Sequence, residues 1–207
     1  SDAMTIAHLL NHTSGLPPKA FHSTVPVSAG DILKAIVQVE RLEEPGMHYR
    51  PSLAGMQLLA LLVQKITKTP FEQYLKEHVF TPAGMMESGI SVAQQNADRM
   101  ADGMIRVGHE LRDTNWYAYN DDPNFIWGTG SSNVYASLGD LHKFYQALQA
   151  DKLLNQSSRE LLWRQGQLAG GEKIVAPTGS YGHGFALYSC PDDHQIMCWT
   201  GHAGGLG

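Results

Sequence analysis

Apolar residues recur at helical spacing up to about residue 165 of the chain. After Ser28, apolar positions three and four residues apart predict a helix as far as about Glu40, and Asp31 can complete a capping box with Ser28. Ser52 can cap a longer helix that reaches about Lys68. The apolar stripe of that longer helix comprises Met56, Leu59, Val63 and Ile66. These two segments predict the main helical layer of the fold.

Shorter helices complete the predicted helical part. Their predicted ranges are 4–11, 71–80, 138–150 and 158–165. Pro70 is suited to open the second of them, because proline is tolerated at a helix start. Ser137 with Asp140, and Ser157 with Glu160, have the spacing of capping residues for the third and the fourth.

The last part of the chain predicts strands. Residues 182–189 and 195–200 read as the two strands of a hairpin, in which Cys198 would lie opposite Leu187. The aromatic-rich stretch 88–129 is expected to be irregular. A two-stranded hairpin is not stable alone, so we expect missing residues or another chain to complete the sheet. The fold class indicated is α+β.

Composition narrows the possible partners. The chain has 207 residues, with 43% hydrophobic and 17% charged residues and a net charge of −5. The negative charge and the lack of any Lys/Arg run argue against binding to nucleic acid. No apolar stretch approaches the roughly 18 residues that a membrane span needs, so no membrane span is expected.

Five segments, in order along the chain, resemble the penicillin-recognising serine hydrolases, the group of serine β-lactamases, D-Ala-D-Ala carboxypeptidases and related esterases of the class C-like type. The segments are 5–17 (TIAHLLNHTSGLP), 45–46 with 55–59 (PG and GMQLL), 80–85 (FTPAGM), 137–144 (SLGDLHKF), and 181–185 with 201–205 (YGHGF and GHAGG). The resemblance implies a β-lactamase-like α+β fold. It is carried by the order of the segments over nearly the whole chain.

The resemblance also implies how the chain is organised. Residues 1–207 would form a single incomplete β-lactamase-like domain, mainly helical over 1–180, with the sheet hairpin and a His-x-Gly strand over 181–207. The N-terminal Ser-x-x-Lys region and the C-terminal strand of the family would be missing. Both ends fall inside family motifs, which favours a piece of a longer enzyme.

The chemistry of the resembled family begins with a Ser-x-x-Lys pair, in which the amine activates the serine nucleophile. None of the eight lysines of this chain has a serine three residues before it. We therefore expect a fragment of an enzyme that transfers an acyl group from an amide, lactam or ester to serine and then to water, inactive as this chain alone. The alternative is a non-catalytic binding or scaffolding member of the same fold.

The second family element, a Tyr-x-Asn motif that relays a proton, has two possible registers here. An ungapped alignment from Pro45 places Pro51 at the phenol position and Leu53 at the asparagine position, and proline cannot relay a proton. A two-residue slip makes Tyr49 the phenol instead. Tyr49 is therefore the candidate catalytic tyrosine, with a packing role as the alternative.

The third element is a His-x-Gly strand. The resemblance makes His202 the second candidate catalytic residue and assigns Ala203, Gly204 and Gly205 to the oxyanion and substrate strand, with the Gly205 N–H as the donor. Ala203 lacks the hydroxyl that often contacts a substrate carboxylate. This absence argues against a penicillin or a D-Ala-terminal peptide.

No metal or cofactor is expected. His8 and His12 are four residues apart, but no glutamate follows His8, so the metallopeptidase motif fails. The serines Ser14 and Ser52 are better explained by a turn and a helix cap than as nucleophiles. The expected partners are a small acyl substrate and either a second copy of the chain or missing segments of the parent chain. Family resemblance favours the periplasm or the cell envelope.

Overall fold

A computed structural model of the protein describes residues 4–18, 28–90, 101, 104–107, 109–113, 130–131, 134–177, 179–189 and 197–202. Its helices are α1 (Ile6–Leu10), α2 (Ala29–Gln38), α3 (Leu53–Thr67), α4 (Phe71–Leu75), α5 (Thr81–Ala83), α6 (Leu138–Gln149) and α7 (Gln156–Leu162). A π-helical turn, Lys76–Phe80, joins α4 to α5. The strands are β1 (Gly89–Ile90), β2 (Met104–Val107), β3 (Glu110–Asp113), β4 (Val134–Tyr135), β5 (Val175–Ala176), β6 (Gly179–Tyr181), β7 (Ala186–Ser189) and β8 (Met197–Gly201).

Most helix starts follow from side-chain caps. Ser28 and Asp31 form the predicted capping box of α2, and the Ser52 hydroxyl accepts from the Gly55 N–H at the start of α3. The predicted cap of α7 was wrong. Asn155 is the N-cap, and its side-chain oxygen accepts from the Ser158 N–H. Asparagine and serine are about equally good caps, and here the helix begins two residues earlier than the serine pattern predicts.

A four-stranded antiparallel sheet, in the order β5-β6-β7-β8, contains the predicted hairpin. The chain itself covers one edge of the hairpin, because β6 pairs with β7 and β5 pairs with β6. Those strands lie in a part predicted as mainly helical. The described residues pair no strand with the outer edge of β8.

The hairpin register differs from the prediction. Leu187 pairs with Thr200, not with Cys198, and Ser189 pairs with Met197. The register shifts between Tyr188 and Ser189, where a bulge leaves Cys198 without a direct partner. A bulge inserts one residue on one strand only, so counting residues from the turn cannot give the pairing.

The sequence suggested that the stretch 88–129 is irregular, but the structure contains strands in part of it. β2 and β3 form an antiparallel hairpin, and β1 pairs with β4 from beyond the stretch. Much of the aromatic-rich remainder lies outside the described residues.

Two apolar clusters hold the described parts together. The first lies where α1, α2 and α3 pack, and it comprises Leu9, Leu16, Ile32, Ile36 and Leu61. The second lies on the sheet and comprises Ile174, Ala176, Tyr181 and Ala186, with Tyr49, Leu168 and Tyr188 packed against it. Tyr49 therefore belongs to the sheet cluster although it lies just before α3 in the chain.

A buried carboxylate fastens α6 to the segment before β1. Asp140 is fully buried, accepts from the Glu87 N–H at 2.7 Å and from the Ser88 hydroxyl at 2.9 Å, and receives the Lys143 amine at 2.8 Å. Burial alone would raise the pKa of Asp140, but these bonds outweigh it and hold that pKa below its usual value. The Ser137–Asp140 pair predicted as a helix cap thus also carries a tertiary contact.

The helices within the described ranges are all too short or too polar to cross a lipid bilayer.

Candidate active site

Four consecutive polar residues after α1 are almost completely buried. Asn11, His12, Thr13 and Ser14 have between 0% and 5% of their surface exposed. The Thr13 hydroxyl donates to the Asn11 side-chain oxygen at 2.7 Å, and the Ser14 hydroxyl accepts from the Leu16 N–H at 3.4 Å. Burying polar groups costs free energy unless they are hydrogen-bonded. The hydrogen bonds of this segment are therefore what allows its polar side chains to be buried.

A long loop, residues 42–50, runs antiparallel to residues 12–15 and is hydrogen-bonded to them at three points. The Arg50 N–H donates to the His12 carbonyl at 2.8 Å, the Gly46 N–H to the Thr13 carbonyl at 2.7 Å, and the Leu42 N–H to the Gly15 carbonyl at 2.9 Å. These bonds place Tyr49 beside His12. Backbone hydrogen bonds on both sides of Tyr49 therefore fix its position.

Ser52 connects the start of α3 to the same buried segment. Its hydroxyl donates to the Pro17 carbonyl at 2.7 Å and accepts from the Gly55 N–H at 3.1 Å. Its backbone N–H donates to Nδ1 of His12 at 3.2 Å. The hydroxyl of Ser52 is thus engaged in the fold, and the Nδ1 contact fixes His12 as the tautomer protonated at Nε2 when the ring is neutral.

Four aromatic rings meet at the junction of the helical part and the sheet. Tyr181 is central, with its ring centroid 5.1 Å from Tyr49, 5.3 Å from His12 and 6.0 Å from His202. Tyr49 and His12 are themselves in edge contact at 6.0 Å. We call these four residues the ring cluster.

Burial makes the ring cluster a neutral environment. Burial, with a smaller contribution from the nearby His202, lowers the pKa of His12 to about 4. Burial raises the pKa of the Tyr49 phenol. The pKa of Tyr181 is raised further, first by burial and then by the neighbouring Tyr49. At neutral pH both phenols keep their protons and the His12 ring is uncharged.

The hydroxyl of Tyr181 is a buried polar group that forms no hydrogen bond within the described residues. The residue as a whole is 2% exposed. Most buried hydroxyls are hydrogen-bonded, so an unsatisfied one in the middle of a cluster of titratable side chains marks a candidate functional position.

The structure brings the two predicted catalytic residues onto Tyr181. Tyr49 is half-buried, and His202, at the end of β8, is exposed. Pro51, which the other register would place at the phenol position, is exposed, and Leu53 is the first residue of α3. The predicted strand residues Ala203, Gly204 and Gly205 lie outside the described residues.

Sequence reasoning did not assign His12 and Tyr181 to the site. Both lie inside motifs that carried the family resemblance, HTSG and YG. The signal available was a histidine and a tyrosine in two separate motifs, but only the tertiary fold shows that their rings touch. Among the described residues no group of three or more histidine, cysteine, aspartate or glutamate side chains could hold a metal ion.

Comparison with known proteins agrees with this fold. The sequence model of the Beta-lactamase family matches residues 1–207. The chain is 30% identical to penicillin-binding protein 4* of Bacillus subtilis over 98% of its own length and 46% of that protein. It thus spans about half the length of the curated relatives it matches.

Solved structures show the same architecture. A penicillin-binding protein from Bacillus halodurans superposes with a TM-score of 0.67 at 25% identity, over 89% of this chain and 56% of that one. An octameric penicillin-binding protein homologue from Pyrococcus abyssi superposes with a TM-score of 0.66 at 21% identity, over 87% of this chain and 42% of that one.

The fold and the comparisons define a β-lactamase-like protein. More specifically, the chain belongs to the Beta-lactamase family. The predicted family and the α+β fold class are therefore confirmed.

Proposed function

We propose that this chain forms part of the acyl site of a serine hydrolase, which transfers an acyl group from an amide, lactam or ester to serine and then to water. The supporting observation is that Tyr49 and His202, which lie far apart in the sequence, both contact Tyr181. The similarity to penicillin-binding proteins agrees with this reaction class.

In this proposal Tyr49 is the proton relay. Its phenol is protonated at neutral pH and burial raises its pKa further, so it would relay a proton by accepting one as it donates another. His202 would donate a hydrogen bond to the bound acyl substrate. The backbone N–H groups of the strand formed by Ala203, Gly204 and Gly205 would stabilise the oxyanion.

The nucleophile of this reaction is not among the 207 residues in the expected Ser-x-x-Lys form. We therefore propose that the chain alone does not turn over substrate, and that a serine and a lysine supplied by the rest of a longer protein complete the site. Relatives about twice as long as this chain agree with that proposal.

We predict that the isolated 207-residue chain hydrolyses neither a chromogenic ester nor a chromogenic β-lactam above the buffer rate. A full-length penicillin-binding protein serves as the positive control under the same conditions. Two results together would contradict the claim that this chain lacks a nucleophile. The isolated chain would show turnover that a serine-directed acylating reagent blocks, and a His202→Ala variant would lack that turnover. Such turnover would point to an unrecognised serine in this chain.

A non-catalytic member of the fold is the second candidate function. The observation that favours it is Pro51 at the phenol position in the ungapped register. The complete reading frame discriminates between the two candidates. A non-catalytic member would bind a β-lactam or an acyl amide reversibly without turnover, and Tyr49→Phe would then have no effect on hydrolysis. A hydrolase would form an acyl-enzyme that mass spectrometry detects.

The arrangement of the four-stranded sheet leads to a prediction about association with another strand. Within the described part of the chain no strand pairs with the outer edge of β8, and an exposed strand edge promotes pairing with another strand. We predict that a second copy of the chain, or a segment of the parent protein, covers this edge. The octameric state belongs to the relative from Pyrococcus abyssi, and a self-associating relative of similar fold agrees with this prediction.

Sedimentation velocity over a dilution series tests the association of two copies. We expect a concentration-dependent dimer or a larger species. A cooperatively folded chain that stays monomeric at every concentration, with the β8 edge exchanging its amide protons freely, would contradict the prediction.

A further inference from the structure

The loop that carries Tyr49 is closed by one carboxylate. One oxygen of Glu43 contacts Nδ1 of His48 at 2.5 Å, and the other accepts from Nε of Arg50 at 3.1 Å. His48 and Arg50 are the residues on either side of Tyr49. The Glu43 side chain is 15% exposed, against 66% and 45% for His48 and Arg50, so the carboxylate forms the inner side of the contact.

The backbone of Glu43 is fixed to the buried segment below it. A Cβ atom on Gly15 would lie 2.0 Å from the Glu43 carbonyl oxygen, so the two backbones are in direct contact. The neighbouring Leu42 N–H donates to the Gly15 carbonyl. The Glu43 carboxylate therefore projects from a rigid base, not from a free loop.

Electrostatics favour the ionised carboxylate in this position. Burial alone would raise the pKa of Glu43, but the hydrogen bonds and charges of Arg50 and His48 outweigh it and lower that pKa. The negative charge is thus present at neutral pH. Because the backbone of Glu43 is held in place, the contacts of its carboxylate with both neighbours of Tyr49 restrict the backbone of Tyr49.

We propose that Glu43 is a positioning residue, whose carboxylate holds Tyr49 in the ring cluster by binding the side chains on both sides of it. The functional meaning of this contact rests on the role proposed above for Tyr49, but its existence does not. The His48 and Arg50 ends of this contact are exposed, and ion pairs with exposed ends contribute little to global stability. Loss of this contact is therefore expected to displace Tyr49 locally without unfolding the protein.

Glu44 offers a matched control in the same loop. Its carboxylate lies 3.6 Å from Arg41 and is largely exposed, and its partner does not flank Tyr49. Glu43→Ala and Glu44→Ala each remove one carboxylate, and with it one negative charge, from adjacent positions. Only the first removes the contact with His48 and Arg50, so a difference between the two variants reports that contact and not the change in net charge.

Fluorine NMR on 3-fluorotyrosine-labelled protein measures the position of Tyr49 without any turnover. The chain has eight tyrosines. Tyr49→Phe assigns the resonance of Tyr49, and Tyr74→Phe assigns a reference on α4, where Tyr74 packs against His78. We expect Glu43→Ala to shift or split the Tyr49 resonance by more than its linewidth and to leave Tyr74 unchanged, whereas Glu44→Ala leaves both unchanged.

An unchanged Tyr49 resonance in Glu43→Ala, or an equal shift in Glu44→Ala, would overturn the proposal. If Glu43→Ala does not fold, the double variant His48→Ala with Arg50→Ala removes the same contact from its exposed side and must reproduce the shift. The turnover assays decide the proposed function separately. A displaced Tyr49 in a protein that never forms an acyl-enzyme would support the positioning role and reject the hydrolase.

Discussion

Replacing Gly15 with alanine should destabilise the protein by about 4 kcal/mol or more, a loss that few single substitutions reach. Gly15 has a φ of +74°, and its added Cβ would lie 2.0 Å from the Glu43 carbonyl oxygen and 3.0 Å from the Glu43 carbonyl carbon. Both atoms belong to the backbone, so no side-chain rotation can relieve the overlap. The loop 42–50 would have to move away from residues 12–15, and the three hydrogen bonds between them would break or lengthen.

The loss has two causes, which are the left-handed backbone at Gly15 and the overlap of the added Cβ with the Glu43 backbone. Gly171→Ala separates them. Gly171 also has a positive φ, +91°, but nothing lies within 4 Å of its added Cβ. It should lose only the roughly 1–2 kcal/mol that a left-handed backbone costs an alanine. Urea unfolding of the two variants and the unsubstituted chain measures the difference. Equal losses in both variants would show that the loop is not packed against Gly15.

The sequence predicts the helices well where a single side chain decides the start. Ser28 with Asp31 and Ser52 cap α2 and α3 as expected. It fails for α7, where Asn155 and Ser157 lie two residues apart and both can serve as caps. A choice between two competent caps depends on the tertiary position of the helix, which local spacing does not contain.

The short strands were harder to predict than the helices. β5 and β6 have two and three residues, too few for alternation of apolar and polar positions to be recognised. They exist because β7 offers a partner to β6, and β6 in turn offers one to β5. Pairing between segments is a non-local property, and so is the bulge that moves Cys198 out of register.

The candidate site was predictable in its motifs but not in its contacts. Tyr49 and His202 came from resemblance to a family, and the structure brings both to Tyr181. Among the described residues the Tyr181 hydroxyl has no hydrogen-bond partner, and neither this feature nor the fixed tautomer of His12 has a counterpart in the sequence pattern. They follow from burial and from the Ser52 N–H, which only the folded chain brings to His12.

Acid should destabilise the protein through His12 at a pH where carboxylates are still ionised. The pKa of His12 is lowered from 6.5 to about 4, first by burial and then by His202. Between these two values the unfolded chain binds a proton at His12 and the folded chain does not. The free energy of unfolding contributed by His12 is therefore fully present above pH 6.5 and is lost as the pH falls towards 4. A difference of this size corresponds to about 3 kcal/mol.

A His12→Asn variant isolates that contribution from those of other groups. Asparagine tolerates the positive φ of 60° at this position, and its side-chain oxygen can accept from the Ser52 N–H in place of Nδ1. Since asparagine does not titrate, the pH dependence of the variant should lack the loss between pH 6.5 and 4. The carboxylates with lowered pKa values, Asp31, Glu43 and Asp140, begin to lose their contribution as the pH falls through their unfolded values of 3.8 to 4.5, and they do so in both proteins. Urea unfolding at several pH values from 4 to 8, compared between the chain and the variant, measures the His12 term as a difference. Parallel curves over that range would show that His12 is protonated in the folded state and that the ring cluster is open to water.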